Sequence, residues 1–150
     1  MKRAGMTLIE ILTAMAILVI VAAIGLISLN IPGQFARARN NQRSNHLNAI
    51  LVGVRQNIAD NRTGIFTCAS GDIPTSTKRM AIGAGNYDIA PCLVPIYLQN
   101  LPFDPATTSA RYNSVTDYDT GYYILKASST GEITISALAA ELGQSIFIKR

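Results

Sequence analysis

Apolar side chains follow three different patterns along the 150 residues. From Met6 to Leu29 they occupy every face of a prospective helix, with Leu8, Ile9, Ile11, Leu12, Ile17, Leu18 and Val19–Val21 among them and Glu10 as the one charge. A helix in a soluble core keeps a polar face, so this distribution predicts a membrane span or a helix covered by many copies of itself. Twenty-four residues (29 − 6 + 1) at 1.5 Å rise suffice for a hydrocarbon layer of ~30 Å. Further on, Leu47, Ile50, Leu51, Val54 and Ile58 recur at i, i+3, i+4, i+7 and i+11, the spacing of an amphipathic helix. Between these stretches, residues 37–46 (RARNNQRSNH) hold no large apolar side chain and read as solvated. The simplest prediction is one helix from about Met6 to Asn61, bent near Pro32. Local melting is expected near Gly25 or at Pro32-Gly33, and Thr63-Gly64 supplies the stop.

The third pattern lies at the C-terminus. Tyr122–Ala127, Glu132–Ala137 and Ser145–Ile148 alternate and carry β-branched and aromatic residues, predicting three antiparallel strands whose apolar face covers the Leu47–Ile58 stripe. Residues 64–120 are broken by nine glycines and prolines, from Gly64 to Pro105, and read as coil with one or two small strands. The chain therefore divides into a leader at 1–5, an apolar helix at 6–29, an amphipathic half at 30–63 and a loop-rich globular part at 64–150. The fold class is α+β.

Charge and chemistry narrow the function. The formal charge is +4, and Lys2 and Arg3 supply half of it, leaving 4 − 2 = +2 without the leader. Arg37, Arg39 and Arg43 cluster without interleaved aromatic residues, so nothing here points to nucleic acid. The histidine, His46, sits among polar neighbours and reads as solvated; with Cys68 and Cys92 it cannot supply the four ligands of a structural zinc site. In an exported chain, an even cysteine count predicts a Cys68–Cys92 disulfide, two free thiols being the alternative. Closing such a loop of about 25 residues stabilises by ~3.5 kcal/mol on the chain-entropy model. Asp117 and Asp119 are paired carboxylates, but no nucleophile motif, metal set or phosphate-binding loop accompanies them, so no catalytic, cofactor-binding or metal-ligating residues are assigned and an enzyme is not predicted.

Glu10 is the feature that needs a reason, because a charge near the bilayer centre costs roughly 2.5–3.5 kcal/mol. A secretory signal cut after Val21-Ala22-Ala23 leaves apolar residues past the cut, and a plain anchor leaves Glu10 unexplained. Gly5-Met6-Thr7-Leu8-Ile9-Glu10, after a short basic leader and before the apolar helix, resembles the N-terminus of type IV pilins and type II secretion pseudopilins. That resemblance implies cleavage after Gly5 by a membrane-embedded prepilin peptidase, with N-methylation of Met6. The amine so created on one subunit is a partner for Glu10 of another. Leu101-Pro102-Phe103-Asp104-Pro105, Thr120-Gly121-Tyr122-Tyr123 and Gly131-Glu132-Ile133-Thr134 also resemble the globular domains of this family.

The family implies a long helix packed on a small antiparallel sheet. It also implies a structural subunit held in the inner membrane by one span, its globular part outside the cytoplasm, until assembly machinery builds it into a surface or periplasmic filament. Its partners are then copies of itself, other pilin-like subunits, the peptidase and the lipid bilayer. Major pseudopilins often hold calcium near the Asp117 and Asp119 region, which makes calcium the one ion to consider.

Overall fold

The computed structural model describes residues 5–28 and 30–150; the leader residues 1–4 and Leu29 lie outside them. The described chain falls into two units, divided between Phe35 and Ala36.

The expected single helix is two. α1 runs Leu8–Ser28 and α2 runs Ile31–Asp60. The break falls neither at Gly25, inside α1, nor at Pro32-Gly33, inside the first turn of α2. Asn30 explains the position: its Oδ1 accepts from the Gly33 amide at 3.1 Å and its carbonyl accepts from the Gln34 amide at 3.1 Å. That is an N-cap, and Pro32 just inside it forfeits an N–H that has no partner in a first turn anyway.

In the second unit, α2 presents a buried stripe of Ala36, Asn40, Arg43, Leu47, Ile50, Leu51, Gly53, Val54 and Asn57. Its C-terminal half joins the core with Met80, Tyr122, Ile124, Ile133 and Ile135 of the sheet and with Ile89, Leu93 and Leu101 of the loop-rich stretch 64–110, the connector. The architecture is α+β, a helix packed on an antiparallel sheet.

Five strands form the sheet: β1 (Lys78–Ala81), β2 (Arg111–Ser114), β3 (Asp117–Lys126), β4 (Ile133–Ala137) and β5 (Ile146–Lys149). The order is β1-β3-β4-β5, all antiparallel, with β2 also on β3. Asp119 pairs with both Ala81 and Arg111, so β1 and β2 flank β3 on opposite sides. Tyr123 likewise pairs with both Arg79 and Ser136, which puts β4 on the side of β2. Along β3 the inward residues Tyr118, Thr120, Tyr122 and Ile124 are buried, the period-2 alternation of a half-covered sheet. β1 and β2 are the one or two small strands expected within residues 64–120, β3 begins five residues before its predicted start at Tyr122, and the stretch Ala90–Leu93 is a short helix, α3.

The connector is pinned at its start and its middle. Cys68 and Cys92 form a disulfide, Cα atoms 5.2 Å apart. Beside it, the buried Asn57 side chain donates to the Thr67 carbonyl (3.1 Å) and accepts from the Thr67 amide (2.9 Å), which ties the start of the connector to α2.

Candidate assembly helix and the polar clamp of the globular unit

At the start of α1, the run Thr7-Leu8-Ile9-Glu10 has the spacing of a capping box. The Thr7 amide points at Glu10 Oε2 over 3.4 Å, and the Thr7 carbonyl accepts from the amides of Glu10 and Ile11 (3.1 and 3.3 Å). An anion in the first turn also suits the positive end of the helix dipole. The contact is long, and the second carboxylate oxygen has no hydrogen bond among the described residues. Thr13 contrasts with it: its hydroxyl donates back to the carbonyls of Ile9 and Glu10, both at 3.0 Å, and so needs nothing from outside. Leu8–Gly25 is long and apolar enough to cross a membrane, and none of it is buried within the chain. Met6, beside the expected cleavage point at Gly5, is likewise exposed.

The globular unit holds a polar cluster where the sequence suggested a solvated surface. Arg43 and Asp104 are fully buried side chains in a two-pronged ion pair, Nε to Oδ2 at 2.8 Å and Nη2 to Oδ1 at 3.1 Å. The remaining Arg43 nitrogen donates to Asn40 Oδ1 (2.8 Å) and Glu141 Oε2 (2.9 Å). Glu141 also receives both prongs of Arg39, at 2.6 and 2.7 Å. Asn40 completes the set by donating to the Glu141 carbonyl and accepting from its amide. A buried charge is tolerated only when paired and hydrogen-bonded, and here every buried polar side-chain atom has a partner.

The electrostatics follow from this geometry. Burial disfavours the Asp104 carboxylate, but Arg43 and the amides of Ala106 and Thr107 outweigh it and hold its pKa below the ordinary range. Arg39 first and Arg43 second pull the Glu141 carboxyl down to about 2. His46 is not solvated. It is half-buried, its Nδ1 lies 2.9 Å from the hydroxyl of Tyr122, and burial pushes its imidazole below the usual histidine range.

Asp117 and Asp119 do not fit a calcium ion. Asp117 accepts from Arg111 at 2.6 Å and from Asn113, and Asp119 accepts from Arg79 at 2.7 Å and from the Gly121 amide. Each carboxylate is already matched to a guanidinium, and no other acid, histidine or thiol joins them among the described residues.

Residues 1–26 match a family model described as the prokaryotic N-terminal methylation motif. This is the signature of type IV pilins and pseudopilins, and it supports a pilin-like or pseudopilin precursor of the kind that prepilin peptidase processes. The motif is one that structural subunits carry, and with the apolar α1 it is consistent with membrane anchoring before assembly with pilin-like subunits. Neither curated proteins nor solved structures give a match to the chain.

Proposed function

We propose that this chain is a structural subunit of a type IV pilus-like filament, cut between Gly5 and Met6 and N-methylated on Met6. α1 then holds it in the membrane by one span and afterwards lines the filament interior, where Glu10 pairs with the Met6 amine of a neighbouring copy. The observation carrying this reading is the isolation of Glu10. On a helix in which no residue of Leu8–Gly25 is buried, this carboxylate has, among the described residues, one long hydrogen bond to its own backbone and an oxygen left over. An opposite charge at the same depth in an adjacent helix satisfies it, and only one axial register brings the two together. The pair then sets register rather than bulk stability. Repeating one head-to-tail interface in this register generates an open helical filament.

The test is Glu10→Leu in cells. Membrane insertion should persist, because an apolar side chain suits lipid, while filaments on imaging should be absent or scarce. Normal filament yield from that variant refutes the pairing. The same images separate long surface fibres from the short filament of a secretion or DNA-uptake pseudopilin.

A further inference from the structure

We infer that His46 is an acid-sensitive latch whose protonation loosens the segment Asn100–Pro105 from α2. The geometry fixes the ring's neutral state. Tyr122 is fully buried, and its hydroxyl makes its one hydrogen bond among the described residues to His46 Nδ1 at 2.9 Å. Donation by the buried O–H makes Nδ1 the acceptor and puts the ring proton on Nε2, which requires the Gln42 side-chain amide, whose nitrogen stands 3.4 Å from Nε2, to turn its oxygen toward the ring. Phe103 lines the same cleft as the ring, and its backbone favours the charged imidazole without offsetting burial. His46 thereby links three elements: α2, which carries it; β3, which carries Tyr122; and the connector at Phe103.

Protonating Nδ1 breaks this arrangement. The Tyr122 hydroxyl then faces an N–H and has no acceptor, while a second cation appears on α2 three residues from Arg43. The charged and titratable groups around the ring are Arg43 on its own helix, Asp104 on the connector, Tyr122 on β3 and, beyond Arg43, Glu141 of the β4–β5 loop. Asp104 offers the imidazolium little relief, since both of its oxygens already serve Arg43 and the amides of Ala106 and Thr107. Relief comes from water. A cleft of about 370 Å³ lies against the ring, lined by Gln42, His46, Asn100, Pro102, Phe103 and Pro105. Opening it by moving the connector hydrates the charge, and this is the direction in which the latch gives way.

The sign is settled by linkage. The folded chain disfavours His46 protonation and the unfolded chain does not, so the contribution is fully present above about pH 6.5 and is lost as pH falls below it. His46 is the chain's one histidine, which makes its titration unambiguous. The test is amide hydrogen exchange on the full chain in detergent micelles at neutral pH and near pH 5, corrected for intrinsic exchange. Protection of residues 100–107 should fall several-fold at the acid pH while that of β4 holds, and His46→Gln, which can accept from Tyr122 without titrating, should abolish the change. Equal protection of the segment at both pH values overturns the latch. So does the same acid loosening in His46→Gln, which assigns the effect to Asp104 or Glu141. A nuclear magnetic resonance titration of the wild-type ring gives an independent reading, and a midpoint at or above the ordinary histidine value also overturns it.

Discussion

Arg43 Nε and Asp104 Oδ2 lie 2.8 Å apart with neither side chain exposed, joining residues 61 positions apart in sequence. This pair fixes the connector on α2, because Asp104 is also anchored to β3 through its amide and the Thr120 carbonyl (2.9 Å). Removing Asp104 leaves two of the buried Arg43 nitrogens unpaired, with Glu141 and Asn40 holding only the third, and removing Arg43 leaves a buried carboxylate without its countercharge, each at a cost of about 3–5 kcal/mol. Asp104→Ala should therefore lower unfolding stability by about that amount in urea titrations of the solubilised protein. The double variant Arg43→Met with Asp104→Leu should cost less than the two single changes added together, because no unpaired charge remains at the pair. Additive losses would show that the two residues act separately.

The same site explains a glycine. Gly121 sits in the middle of β3 with φ +74°, and a Cβ there would come within 3.0 Å of the Asp104 Cβ and 3.4 Å of the Ala110 Cβ. Gly121→Ala should destabilise by about 1–3 kcal/mol from backbone strain, with crowding added to it. Gly131 is the control: its φ is +72°, but nothing lies within 4 Å. Gly131→Ala should cost strain alone, about 1–2 kcal/mol. Equal losses at the two positions would show that Asp104 does not crowd Gly121.

Acid should loosen the β4–β5 loop as pH falls below about 4.5. The folded pKa of Glu141 is about 2, held down by Arg39 and then Arg43, against an ordinary 4.5. A depressed carboxyl contributes stability that is fully present above the unfolded value and is lost as pH falls through the folded one. The Glu141 share should thus fade from about pH 4.5 toward 2. Melting temperatures measured across that window should fall more steeply in wild type than in Glu141→Gln. Parallel curves would remove Glu141 from the acid response.

How much of this was legible depended on whether the information was local. Leu47 to Ile58 announced their helix through spacing alone, and β4 and β5 appeared close to their predicted places. Ala36, Asn40 and Arg43 continue the same buried stripe at the same period. Polarity hid Asn40 and Arg43, since arginine and asparagine are discounted as core residues unless partners are known. Those partners, Asp104 and Glu141, lie 61 and 98 residues away from Arg43. β1 and β2 answer to the one or two small strands expected within residues 64–120, but their exact places were hidden for a related reason. Arg111–Ser114 has no buried position and Lys78–Ala81 carries a bulge against β3, so neither shows clean alternation. The helix break was readable in principle from Asn30-Ile31-Pro32, a capping residue followed by proline in the first turn. Glu10 was visible from the outset because a single acid in an apolar run has no local explanation.

The mass of the mature N-terminal peptide tests the account most directly. A methylated peptide beginning at Met6 is the predicted result, since it supplies the amine that Glu10 requires. A peptide beginning at Ile24, left by ordinary signal cleavage, would remove Glu10 from the mature chain and contradict the account.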